Sequence, residues 1–124
     1  AEASDVESCL MAKGYWIARL DVTDVETYKD YVRANAEAFG LYKAKFLTRG
    51  GPFVSLEGVP RTRNVVLEFA DLATALACYR SPEYQSAKKI REGVAVAEIV
   101  IMEGYDGPQP PNQPGDLANV SEAP

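Results

Sequence analysis

Four short stretches of the chain alternate strictly with period two, and each carries an unusual second side. In Tyr15–Val22, the residues Trp16, Ala18, Leu20 and Val22 fall on one side, with Tyr15, Ile17, Arg19 and Asp21 on the other. Lys45–Arg49 places Phe46 and Thr48 against Lys45, Leu47 and Arg49. Asn64–Phe69 places Val65, Leu67 and Phe69 against Val66 and Glu68. Ala95–Met102 places Ala97, Ile99 and Ile101 against Glu98, Val100 and Met102. Each stretch thus has one apolar side suited to a core. Its second side mixes aliphatic residues with charge, too greasy for bulk water and too ionic for a dry interior.

Helical signals separate these stretches. Asp24 is an N-cap for a helix carrying Val25, Tyr28, Val32 and Phe39 at helical spacing, ended by Gly40. Gly50-Gly51-Pro52 stops the second strand, and a short extended piece, Phe53–Leu56, precedes a turn at Glu57-Gly58. Asp71 caps a second helix with Leu72, Ala75, Leu76 and Tyr79. Ser81-Pro82-Glu83 restarts a helix with a serine cap, proline at the first position and an acid in the first turn. Gly93 closes it. The order is β-α-β-β-α-β. Right-handed crossovers make this an α+β, ferredoxin-like fold: a four-stranded antiparallel sheet with its helices on one face and the other face bare.

Composition narrows the function classes. At 124 residues, 47 % hydrophobic and 25 % charged, the chain suits one domain with a packed core. It has no histidine, hence neither the commonest metal ligand nor the commonest general base. Its net charge of −5 argues against a nucleic-acid partner. No apolar run is long enough for a membrane span. Between Gly14 and Tyr105 acids and bases balance at 12 each, so the net charge lies in the flanks. We expect an N-terminal extension over 1–13, a domain over 14–105 and a proline-rich tail over 106–124, where five of the eight prolines fall. Cys9 and Cys78 lack a C-x-x-C partner, which disfavours zinc and favours reduced thiols in a cytoplasm. Neither metal nor cofactor is expected.

The bare side is the candidate site. A second copy packed face to face would shelter it, and a two-fold pair is the commonest soluble assembly. The cleft would bind a small organic molecule, a carboxylate or carbonyl compound, with Arg19 and Arg49 holding its anionic part. Trp16, Ile17, Leu47 and Met102 would supply apolar surroundings, with Tyr84 at the cleft edge. Asp21 and Glu68 are the carboxylates nominated as proton carriers, since an apolar cleft raises a carboxyl pKa and a nearby arginine opposes that shift. Two other readings stay open: a structural dimer seam of ion-paired strands, and cofactor-free catalysis. Arg61-Thr62-Arg63 reads as a solvated turn.

Gly14-Tyr15-Trp16-Ile17-Ala18, Leu47-Thr48-Arg49-Gly50-Gly51, Leu56-Glu57-Gly58, Val66-Leu67-Glu68-Phe69 and Tyr79-Arg80-Ser81-Pro82-Glu83-Tyr84-Gln85 resemble the bacterial domain-of-unknown-function family 1330. The likeness spans about Lys13 to Gly104. It implies a homodimer of the dimeric α+β barrel type, with the two sheets facing each other. It implies no known activity. The wider superfamily includes cofactor-free monooxygenases and isomerases, which is analogy of fold. Several members carry histidine near the position of Arg19, and an arginine there cannot act as a base.

Overall fold

A computed structural model describes residues 12–111 and 120–123. Cys9, most of the N-terminal extension and much of the proline-rich tail lie outside these residues. The elements run β1 (Gly14–Val22), α1 (Val25–Leu41), β2 (Lys45–Arg49), β3 (Arg63–Phe69), α2 (Leu72–Arg80), α3 (Pro82–Arg91) and β4 (Ala95–Glu103). The strands form one antiparallel sheet in the order β2-β3-β1-β4. This is the α+β arrangement expected from the alternation, with the second crossover split into two helices. Phe53–Leu56 forms no strand; residues 51–60 are an irregular connection.

Local chemistry sets the element ends. The Asp24 carboxylate accepts from the Thr27 amide at 3.1 Å and the Thr27 hydroxyl at 2.8 Å. Asp71 accepts from the Thr74 amide at 2.7 Å, and the Ser81 hydroxyl from the Tyr84 amide at 3.1 Å. Each satisfies an amide that the first helical turn leaves without a partner. Helix α1 runs one residue past Gly40, and the left-handed residue beyond it is Lys43, at φ 56°. Gly14 has a packing reason: a Cβ there would overlap the carbonyl of Asp71, so only glycine lets β1 start against the entry to α2.

The core lies between the sheet and the helices. Trp16, 1 % exposed, is its centre. Its ring meets Phe39 at 5.3 Å, Phe69 at 6.0 Å, Tyr79 at 5.6 Å and Tyr84 at 4.8 Å. Helix α1 contributes Tyr28, Tyr31, Asn35, Ala38 and Phe39 at helical spacing. Cys78 is fully buried, and burial pushes its thiol up to about 12, so it packs as a small apolar residue.

Candidate functional site

Strand register assigns every candidate residue to a face. On the bare face Tyr15 lies between Glu68 and Met102, Ile17 between Val66 and Val100, and Arg19 between Asn64 and Glu98. This face is apolar across its middle. Leu47, Val96, Val100 and Met102 remain 46, 52, 49 and 41 % exposed, far more than an ordinary core-forming side chain.

At one end of this face the charges pair off. Arg61 donates to Asp21 at 2.8 Å and to Glu98 at 3.1 Å; Arg19 lies 3.6 Å from Glu98 and also donates to Asn64 and to the carbonyl of Val59. The Thr62 amide adds a bond to Asp21 at 2.9 Å. The hydrogen bond from Arg61 holds both the Asp21 and the Glu98 carboxyl below the usual carboxylate range. Between burial and a neighbouring arginine, the arginine wins at Asp21. Arg61 is therefore the hub of this cluster rather than part of a solvated turn. Its role was hidden because the irregular loop that carries it has no periodicity to read.

Glu68 accepts instead from the Tyr15 hydroxyl at 3.2 Å. It sits one row from the far end of β1, opposite Tyr15, while Asp21 is six residues further along, about 20 Å away at strand rise. The fold does not bring the two nominated proton carriers together.

Three other placements correct the sequence reading. Arg49 does not share a face with Arg19. The pairing of β2 with β3 skips Leu47: Phe46 lies opposite Leu67 and Thr48 opposite Val66. This bulge inserts one residue, so the alternation reverses and Arg49 turns to the helix side, its guanidinium 4.0 Å above the Phe46 ring. Trp16 is the floor beneath the helices, not a wall of a bare-face cleft. Tyr84, fully buried, lies in the core, where its hydroxyl meets that of Tyr31 at 2.9 Å.

The helix side of the sheet holds a different arrangement. A cavity of about 30 Å³ opens between α1 and the sheet. Tyr28, Tyr31, Asn35, Arg49 and Arg63 bring polar atoms to it, and Trp16, Phe46 and Leu67 line its apolar part. Among the described residues no carboxylate lines it. The Arg63 guanidinium stacks 5.6 Å from the Tyr28 ring, and its buried Nε has no hydrogen-bond partner among the described residues. Burial raises the Tyr28 phenol, so it stays protonated near neutrality. Gly50, at φ 72°, backs this group: a Cβ there would collide with the Arg63 guanidinium. The Arg49-Gly50-Gly51 motif therefore serves the cavity twice, through Arg49 and through the room Gly50 leaves for Arg63.

A ferredoxin-like α+β domain with one bare sheet face and a polar cavity under its helices defines the structural class. Over residues 13–105 the chain belongs to the family described as domain of unknown function DUF1330. No curated protein matches it in sequence. Among solved structures it is similar to the RPA0582 protein of unknown function from Rhodopseudomonas palustris, with TM-score 0.64, 14 % identity and coverage of 86 % of this chain and 95 % of that one. It is also similar to SnoaB, a cofactor-independent oxygenase from Streptomyces nogalater (TM-score 0.52, 10 % identity, 77 % and 96 % covered). A dimeric ferredoxin-like protein of unknown function from Thermobifida fusca aligns at TM-score 0.50 and 14 % identity, with 75 % and 93 % covered. These likenesses show the shared fold. No helix among the described residues is long and apolar enough to cross a membrane.

Proposed function

We propose that this protein binds a small organic carboxylate in the cavity between α1 and the sheet, and that two copies pair through their bare faces. The observation that carries the ligand reading is Arg63, which lines a cavity that no carboxylate of the described residues lines and which forms no ion pair among those residues. A guanidinium left unpaired in an aromatic pocket is costly, and an anion repays that cost with charge-assisted hydrogen bonds. Asn35 and the phenols of Tyr28 and Tyr31 add neutral donors, which suits a carboxylate or an enolate-like oxygen. At about 30 Å³ the cavity is far smaller than a usual ligand pocket, so it would take a carboxylate group alone, with the rest of a longer molecule reaching out past the exposed Arg49.

The dimer reading is supported by the exposed aliphatic residues across the bare face and by the self-contained pairing of its charges. A seam can bury that patch with its ions already neutralised. A ligand role for Arg19 is correspondingly weaker than the sequence suggested.

The test is titration of the protein with sodium acetate, followed by amide chemical shifts. Saturable shifts at Tyr28, Tyr31 and Asn35 that vanish in Arg63→Met support the reading. Shifts that survive Arg63→Met, or that centre on Arg19 and Arg61, overturn it.

A further inference from the structure

Behind the cavity lies a buried cation that the ligand reading leaves unused. Arg91, at the end of α3, is 6 % exposed. It forms no ion pair among the described residues. One terminal nitrogen donates to the Tyr84 hydroxyl at 3.2 Å, its Nε has no partner among those residues, and its guanidinium lies 5.4 Å from the Tyr31 ring. Tyr84 is fully enclosed, and its hydroxyl is 2.9 Å from that of Tyr31. Tyr31 in turn lines the cavity.

The direction of this chain follows from what each group can do. A guanidinium only donates, so the Tyr84 oxygen accepts from Arg91. Among the described residues the Tyr84 hydroxyl has only one other partner, the Tyr31 oxygen. The Tyr84 proton must go there or remain buried without an acceptor, which native structures avoid. With its oxygen occupied by that bond, Tyr31 keeps its own proton free, and the open space beside it is the cavity. Each bond also polarises the next, so the charge on Arg91 strengthens Tyr31 as a donor.

We propose that Tyr31 is a hydrogen-bond donor to the oxygen of the bound anion, its proton turned into the cavity by the one-way chain Arg91 to Tyr84 to Tyr31. This rests on the ligand reading above and deepens it. Arg63 supplies charge from the sheet side and Tyr31 a directed neutral donor from the helix side, so the ligand must present oxygens to both. A short carboxylate does so; a halide or another spherical anion does so less well. Tyr84 and Arg91 touch no ligand and act as positioning residues.

Two measurements test it. Neutron diffraction from deuterium-exchanged crystals of the full chain should place the Tyr84 deuteron on the line to Tyr31 and the Tyr31 deuteron toward the cavity. A Tyr31 deuteron on the line to Tyr84 overturns the proposal whether or not any ligand binds. Acetate titration supplies the second arm. Tyr31→Phe should weaken acetate binding about tenfold or more, as expected for a lost hydrogen bond to a charged group, with the ring kept. Tyr84→Phe should weaken it about threefold by releasing the orientation of Tyr31 while leaving the Tyr31 hydroxyl in place. Acetate binding unchanged in Tyr31→Phe but lost in Arg63→Met leaves the ligand reading standing and removes Tyr31 from it. A parent protein that does not respond to acetate contradicts the ligand reading itself, and the deuteron positions then decide the chain alone.

Discussion

On the bare face of the sheet each arginine has met a carboxylate: Arg61 bonds Asp21 and Glu98, and Arg19 approaches Glu98. Beneath the helices, Arg63 and Arg91 have met only rings and phenols. The same side-chain type thus has two environments on the two sides of one sheet. Balanced charge is finished business and suits a surface that another subunit can cover. Unbalanced buried charge is unfinished and needs something brought from outside. Charge type alone does not mark a ligand site; charge without an internal partner does.

The comparison can be broken most severely at its shared foundation. Trp16 belongs to the helix side, and Trp16→Ala should cost about 3–5 kcal/mol, as for other large aromatic truncations in cores. The melting temperature should then fall by well over about 10 °C. A loss below about 1 kcal/mol would mean that the aromatic cluster is not the core. Met102→Ala on the bare face should cost the isolated subunit about 1 kcal/mol or less, because the side chain is 41 % exposed.

Assembly is the next largest effect. The parent should sediment at twice 13.5 kDa, and Val100→Glu, with a charge in the apolar middle of the bare face, should sediment at 13.5 kDa while keeping its helical circular dichroism. A dimer that tolerates Val100→Glu would place the seam elsewhere. Gly50→Ala should cost about 1–2 kcal/mol for its left-handed backbone and should also weaken acetate binding several-fold by displacing Arg63. Stability lost without any change in acetate binding would detach Gly50 from the cavity.

The smallest effect is in acid. Asp21 and Glu98 titrate below their ordinary values of 3.8 and 4.5 in the folded protein. Their contribution is therefore complete above those values and is lost as pH falls through the lower, folded-state ones. Thermal melts should show a modest drop below about pH 4. Asp21→Asn should flatten it, and an equal drop in that variant would show that the Arg61 cluster is not its source.

Much of this was legible in the sequence. The alternation in β1, β3 and β4 and the caps at Asp24, Asp71 and Ser81 follow local rules that the fold obeys. The site was less legible, for a physical reason at each residue. Arg49 was assigned to the wrong face because one extra residue at Leu47 reverses the alternation, and a bulge leaves no signal in the polar pattern. Tyr84 reads as a phenol at the cleft edge because nothing local reveals that Tyr31 waits 53 residues away in sequence to bond it. Arg61 and Arg63 stand two positions apart, yet only Arg63 lies in β3; Arg61 belongs to the irregular loop before it, so strand alternation does not govern its direction, and it turns to the ion cluster while Arg63 turns to the cavity. Gly50 beside Arg49 was the available hint: a left-handed glycine at a strand end also makes room, here for the guanidinium of Arg63.

The most direct test sets the two faces against each other in one crystal. Soaking in sodium acetate and mapping difference density asks every arginine whether it still lacks an anion. The account predicts acetate density in the cavity beside Arg63 and none over the Arg19–Arg61 cluster. Acetate over Arg19 and Arg61, with the cavity empty, would contradict it.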